Sequence, residues 1–464
     1  MTPPSTRGIA RGVRSGTWLL AIPYAIIVLV ARLTPTTALF PDQGDVNLYL
    51  EKASALVSGR IPYLEFPLEY PPLALVAMVV PYLLWPFGEI TLDLYKVLFA
   101  GWEAFLIVVL GVVLGEIVRV RALGERTDDG SQGALPSQLR WLAVRLIILT
   151  LGAALALTWR YDLFPAVLVM VALWASLANR PVLAGMAIAA GILAKLYPLA
   201  LVPALAIPWL MPFDASRLIR YGGSVVITVL AGLLPFVVLA GPSTFMFLSN
   251  QALRGLQIES TGAALVLLEG LVRGERLPIT APFSAAEVAG PLASVWLALL
   301  PLATLVGFAL LAWVGWRRIR AEHEAFGAVT ASTVIALATA SLLVLVLTSK
   351  VFSIQYVVWL VPFAALLPGR KFWLAAVIVG LTMPIHPLLY ADLVEQEALP
   401  ILILNLRNAL VVALACWVVA DLRTAPRCRQ PADLPCGLLA RPRQGDWNLA
   451  RPAGLEPTTF RSAT

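Results

Sequence analysis

The sequence predicts an all-α polytopic membrane protein, and three observations carry that reading. Of 464 residues, 59% are apolar and only 13% are charged, about half the charged share with which a soluble globule covers its surface. Apolar runs of about twenty residues, the length a helix needs to cross the hydrocarbon core, recur along most of the chain. Segments alternating apolar and polar residues are absent, which excludes an outer-membrane β-barrel. The same composition removes other classes. The excess of 34 Lys+Arg over 27 Asp+Glu is scattered between apolar runs and makes no nucleic-acid patch. Cys416, Cys428 and Cys436 lie near the end and form no disulfide or zinc framework. His323 and His386 are too few for a histidine metal site, and no phosphate loop, metal-ligand run or serine elbow occurs. No cofactor and no metal are expected.

The elements follow in order. Residues 1–16 carry Arg7, Arg11 and Arg14 and precede the apolar Trp18–Ala31. No small-residue cleavage site follows, so this reads as an uncleaved first span with its N-terminus in the cytoplasm. Further spans are expected at Leu94–Val118, Trp141–Thr158, Leu163–Ala178, Val182–Ala194, Leu196–Met211, Gly222–Ala240, Pro291–Trp316, Gly327–Thr348, Tyr356–Leu367, Phe372–Tyr390 and Ile401–Ala420, about twelve transmembrane helices in all. A further apolar stretch, Pro72–Trp85, is short and contains Pro81.

Charge decides its place. If Pro72–Trp85 does not cross, one side collects Arg7, Arg11, Arg14, Arg119, Arg121, Arg126, Arg140, Arg180, Arg217, Arg220, Arg317, Arg318, Arg320, Arg370 and Lys371 in short loops. That is the positive-inside pattern. If it crosses, the Arg119–Arg140 loop and every later cluster move outside. Pro72–Trp85 is therefore an interfacial helix within a long first outer loop, Thr34 to Asp93. The chain divides into a cytoplasmic N-terminus (1–16), a membrane domain (17–420) and a tail (421–464). Gly124–Gln138 is a polar connector. The tail is Arg- and Pro-rich without periodicity and is expected to be disordered. Its end resembles a peptide produced when bacterial gene prediction reads through into a transfer-RNA gene. No internal repeat stands out.

This topology places the polar residues without an obvious topological task on one outer face. They are Asp42, Asp45, Glu65, Glu69, Tyr70, Arg160, Asp162, Lys195, Arg254, Gln257, Glu259, Lys350 and Gln355. Charges at membrane depth are paired or functional, so a single polar chamber is expected. A carboxylate in Asp42-Gln-Gly-Asp45 can serve as general base toward a hydroxyl; the same residues also suit a solvated loop or the N-terminus of a helix over Val46–Leu56. Tyr63 and Tyr70 suit an interfacial anchor. Lys195, flanked by Ala194 and Leu196, needs an anionic partner, which a phosphate or Asp162 would provide. With Arg254 and Lys350 it gives three cations for a phosphate or diphosphate head group.

Asp45-x-x-x-Tyr49, Gly59-x-x-Pro-Tyr63 and Glu69-Tyr-Pro-Pro72 resemble the first outer loop of GT-C fold glycosyltransferases that use polyprenyl-phosphate sugars. Arg160-Tyr-Asp-Leu-Phe-Pro165, Lys195-Leu-Tyr-Pro198, Gln257-Ile-Glu-Ser260 and Lys350-Val-Phe-Ser-Ile-Gln-Tyr356 are similar to the glycosyltransferase 87 branch, which includes actinobacterial α-mannosyltransferases. The resemblance spans about residues 17–420. It implies a polyprenyl-phosphate sugar donor reaching the site from the outer leaflet, a glycolipid or glycan acceptor, and inverting transfer without a metal. It makes Asp45 the base with Asp42 in reserve, and Lys195, Arg254 and Lys350 the phosphate ligands. Tyr63, Glu69, Tyr70, Arg160, Asp162, Gln257, Glu259 and Gln355 would then line the substrate site. A carrier or flippase for a lipid-linked sugar also needs an intramembrane cation cluster and is the rival expectation.

The topology has a direct check. Cysteines introduced singly as Asp42→Cys, Glu69→Cys and Glu89→Cys are expected to react with an impermeant reagent added outside intact cells. Labelling of position 89 only after permeabilisation overturns the non-crossing assignment.

Overall fold

The computed structural model describes residues 44–124, 134–282 and 285–424, together with Ile22. The expected first span, Asp42, the middle of the polar connector and the tail beyond Thr424 lie outside these residues. The described chain is helical almost throughout. In order it runs α1 (Gly44–Val57), α2 (Ala74–Leu83), α3 (Leu92–Gly124), α4 (Ala134–Gly152), α5 (Ala154–Trp159), α6 (Leu163–Leu177), α7 (Pro181–Ala194), α8 (Val202–Leu210), α9 (Ala215–Ala240), α10 (Met246–Leu253), α11 (Thr261–Arg273), α12 (Pro291–Phe326), α13 (Ala331–Thr348), α14 (Tyr356–Leu366), α15 (Gly369–Met383), α16 (Tyr390–Val394) and α17 (Ala398–Arg423).

Among the described residues, six stretches are long and apolar enough to cross a membrane: Leu92–Ala122, Ala215–Leu253, Pro291–Phe326, Ala331–Thr348, Gly369–Leu388 and Ala398–Arg423. Their burial separates lipid-facing helices from central ones. Only 11% of the apolar window is buried in Ala215–Leu253 and in Pro291–Phe326, against 67% in α13. Helices that are apolar all round and bare on most sides need lipid as their solvent. The chain is thus a multi-pass helical membrane protein.

Five further apolar helices are shorter. At 1.5 Å per residue α2 is about 15 Å long, roughly half the hydrocarbon thickness. Pro71 and Pro72 deliver the chain to it, and Leu73 N–H donates to Leu193 O at 2.8 Å, which ties its start to the end of α7. Beyond it Leu83, Leu84, Trp85 and Phe87 are exposed, the composition of an interfacial belt. The polar connector is shorter than expected, because Ala134-Leu135 already begin α4; Pro136 sits in its first turn, where a missing N–H costs nothing.

One feature departs from the all-α expectation. β1 (Leu256–Gln257), β2 (Ile279–Thr280) and β3 (Glu287–Val288) form a small antiparallel sheet in the order β1-β3-β2. Leu256 faces Val288, which in turn faces Ile279. Strands of two residues leave no period to read in a sequence.

Three apolar clusters hold the molecule together. The largest joins α3, α4, α6–α8 and α13–α15, a second lies under α1 and α2, and the third lies between the small sheet, α11 and α17. At the end remote from α1, buried Glu322 accepts from Arg318 Nε (2.8 Å), Thr330 N (2.9 Å) and Thr333 Oγ1 (2.7 Å), locking α12 to α13. Lys371 pairs with Asp421 there, joining α15 to α17.

Without a hydrophobic drive between helices in lipid, close approach depends on small residues. α7 and α9 meet at Gly185 and Gly232. A Cβ at 185 would stand 2.5 Å from Tyr221 O, and one at 232 would stand 2.4 Å from Leu193 Cδ1. At 185 the Cβ would meet the Ser224 hydroxyl as well, which can turn aside, but Tyr221 O is backbone, which no rotamer change relieves. Gly185→Ala is therefore expected to destabilise the protein by about 1–3 kcal/mol, and Gly232→Ala by less because Leu193 can turn aside. Thermal denaturation in detergent checks the order; an unchanged Gly185→Ala protein contradicts the packing.

Candidate functional site

The site forms where the first loop meets two helix ends far along the chain. α1 begins at Gly44 and carries Asp45 in its first turn, where a carboxylate favours the positive helix terminus. Tyr49, one turn on, donates its hydroxyl to Asp45 Oδ2 at 3.3 Å. The same oxygen is ion-paired to Arg160 Nη1, and the two side chains are 30% and 12% exposed. Both of these contacts fall on Oδ2. Burial holds the Tyr49 and Tyr70 phenols far above their ordinary range, and the Asp45 charge adds to this. Both remain hydrogen-bond donors at any physiological pH.

The loop before α2 sets Tyr70. Tyr63 takes a left-handed backbone (φ 67°), an uncommon conformation for a bulky residue. It is held there by Tyr63 N to Phe66 O at 2.9 Å and by its hydroxyl, which donates to Tyr70 O at 2.7 Å. Tyr63 is thus buried scaffold beneath the loop. The Tyr70 ring meets Tyr161 edge-on at 5.1 Å, and Tyr49 meets Tyr161 in the same way at 5.5 Å.

Behind these rings lies a buried charge. Asp162, fully buried at the N-terminus of α6, accepts at Oδ1 from Lys195 Nζ and from Trp359 Nε1, both at 2.6 Å. Of the two partners open to Lys195, the structure shows the carboxylate. Its ammonium also lies 4.9 Å from the Tyr161 ring centre and 5.6 Å from that of Trp359, where a cation gains from the ring faces. Trp359 is stacked between Tyr197 (4.1 Å) and Tyr356 (3.8 Å).

Arg254 and Lys350 stand apart from this group. Lys350 Nζ donates to Ala252 O (2.9 Å) and Arg254 O (2.6 Å), clamping the chain that leaves α10. Burial lowers the Lys350 ammonium below the usual lysine range, with Glu287 opposing. Arg254 is within electrostatic reach of Lys350 and of Tyr356, and Tyr356 is also within reach of Asp162. The aromatic stack of α14 therefore links the two cationic regions, and no side-chain contact joins Lys195 to Arg254 or Lys350 among the described residues.

Gln257 and Glu259 are buried. Gln257 Nε2 donates to Glu259 Oε2 at 2.6 Å, and Gln257 Oε1 accepts from Phe352 N at 3.0 Å. These bonds splice the β1 segment to the strand-like run after Lys350. Gln355 precedes α14 half-buried, and Glu69 is exposed at the loop surface; neither joins the Asp45 group through a side-chain bond.

Sequence reasoning missed two contributors. Trp359 lies in an apolar run, yet an indole N–H buried there needs an acceptor, and that need was the available signal. Arg407 sits fully buried inside the apolar α17, donates from Nη2 to Glu259 O at 2.8 Å and covers the Phe352 ring at 3.9 Å. A lone Arg in a spanning run is itself a signal.

No protein-family model matches this chain, and the search of curated proteins found no match. Fold and site define a class: a multi-pass helical membrane protein with a buried acid, base and aromatic group under its first loop.

Breaking a buried pair leaves an uncompensated charge, a loss of about 3–5 kcal/mol. Asp162→Ala is expected to destabilise on that scale, and Asp162→Ala with Lys195→Met to recover most of it. Equal stability of the single and double variants, measured by denaturation in detergent, contradicts the pairing.

Proposed function

We propose that this protein is a membrane glycosyltransferase that moves a hexose, mannose as the first choice, from a polyprenyl-phosphate sugar to a lipid or glycan acceptor on the outer face of the cell membrane. One observation carries the reading. Asp45, Tyr49 and Tyr70 of the first loop meet Arg160, Asp162 and Lys195, residues far along the chain, in one group. Those are the segments on which the resemblance to GT-C enzymes rests.

The chemistry asked of such a group is modest. A phosphate leaving group carries its own charge and needs cations rather than a strong acid. One carboxylate suffices to take the acceptor proton in a single inverting displacement. In this reading Asp45 is the base, aimed by Arg160 and Tyr49. Lys195, Arg254 and Lys350 provide positive potential on the donor side. Twelve crossings, with the N-terminus inside, put the group on the outer face. Helix length supports its depth: α6 and α7 hold 15 and 14 residues, about 21–23 Å against a core of ~30 Å. With the Asn179–Arg180 turn at the cytoplasmic interface, Asp162 and Lys195 lie below the outer surface, within reach of a lipid phosphate.

Transfer from radiolabelled polyprenyl phosphomannose, in membranes containing the chain, tests the reading. Asp45→Asn is expected to insert and bind donor yet lose about 10²–10⁴-fold in rate, whereas Asp42→Asn stays much milder. Near-normal turnover by Asp45→Asn removes it as base. Donor movement across the bilayer without product, in the unmodified protein, replaces the transferase with a carrier for lipid-linked sugars, a reading that the intramembrane Lys195–Asp162 pair also suits.

A further inference from the structure

One acid of the membrane domain has no part in the group described above. Glu103 lies in the apolar length of α3 and is fully buried. Neither of its carboxyl oxygens has a hydrogen-bond partner. Its electrostatic neighbour is Asp162. Asp162 is equally buried, and while its Oδ1 takes two donors, its Oδ2 has none. Three carboxyl oxygens on two elements, α3 and the start of α6, therefore lack donors.

Charge balance shows what is missing. Arg160 is paired to Asp45 and Lys195 to Asp162, so two cations face three acids. No ion pair reaches Glu103 among the described residues. A bare carboxylate in this setting is strongly disfavoured, and intramembrane acids are paired or linked to protons. α3 packs along α6 at this level, with the Trp102 and Phe164 rings 6.3 Å apart, and a buried water needs two to four polar partners, which three free oxygens supply.

We propose that Glu103 and Asp162 hold one proton between them through a buried water, forming an intramembrane proton-binding site behind the Asp162–Lys195 pair. The proton resides on Glu103, which donates through the water toward Asp162 Oδ2. Asp162 keeps Oδ1 for Lys195 and Trp359. Glu103 is in this sense a positioning residue: it saturates the far side of the carboxylate that aims Lys195. The inference does not depend on what the protein transfers.

Infrared spectroscopy of the full chain in lipid nanodiscs tests it. At neutral pH the wild-type minus Glu103→Gln difference is expected to show a protonated-acid C=O band belonging to Glu103. Asp162→Asn should shift that band without abolishing it, a response that a merely space-filling Glu103 would not give. Loss of carboxylate bands alone in the Glu103→Gln difference overturns the proposal, as does a band unmoved by Asp162→Asn. So does an acid band that appears only when sodium is removed, because a metal cation would then occupy the site. If Glu103→Gln fails to fold, wild-type protein labelled with ¹³C-glutamate decides the matter: absence of any protonated-glutamate band overturns the proposal.

Discussion

A carboxylate sealed from water has to be neutralised where it stands, and at Asp162 that requirement organises the interior. Its Oδ1 draws Lys195 from the end of α7 and Trp359 from α14 to one point. Tyr197 and Tyr356 follow because they sandwich the Trp359 ring. Tyr161, next in sequence, supplies the face over which Lys195 sits and sends its hydroxyl to Ala194 O at 3.2 Å. Three helices, α6, α7 and α14, are thereby fixed by one buried charge. The bundle around them supplies the low dielectric that makes the interaction strong and its absence costly.

The first loop is built outward from that point. Tyr49 and Tyr70 lean on Tyr161, and Arg160 turns the other way to meet Asp45. Asp45 is therefore positioned by a residue adjacent to the aromatic wall, and Lys195 by a residue two positions further on. An acid on the rim and a base in the depth are set by the same short turn, Arg160-Tyr161-Asp162, between α5 and α6. Side chains placed by one short turn keep their spacing when the surrounding helices shift.

Much of this was legible in the residues, for reasons that differ from one element to the next. Long apolar runs announce spanning helices because lipid tolerates no other open chain, and the apolar stretch Pro72–Trp85, short and holding Pro81, forms a helix of ten residues. Arg160, Asp162 and Lys195 stood out because charges rarely occur between apolar runs. The grouping itself was less visible: the three cations, similar in sequence, divide in space, since Lys195 meets a carboxylate and Lys350 meets main-chain carbonyls. Glu103 was hidden as a polar residue diluted by the apolar run around it, whereas Arg407, beside Asn405 and Asn408, carried a signal that went unread. The sheet at Leu256–Val288 was hidden because two-residue strands carry no pattern.

The Lys350 clamp has a consequence of another kind. Its ammonium grips the oxygens of Ala252 and Arg254, atoms that every amino acid provides in the same place. Substitutions at 252 and 254 keep the main-chain oxygens that the ammonium holds, so the clamp is lost through Lys350 itself and not through the identity of the residues it grips.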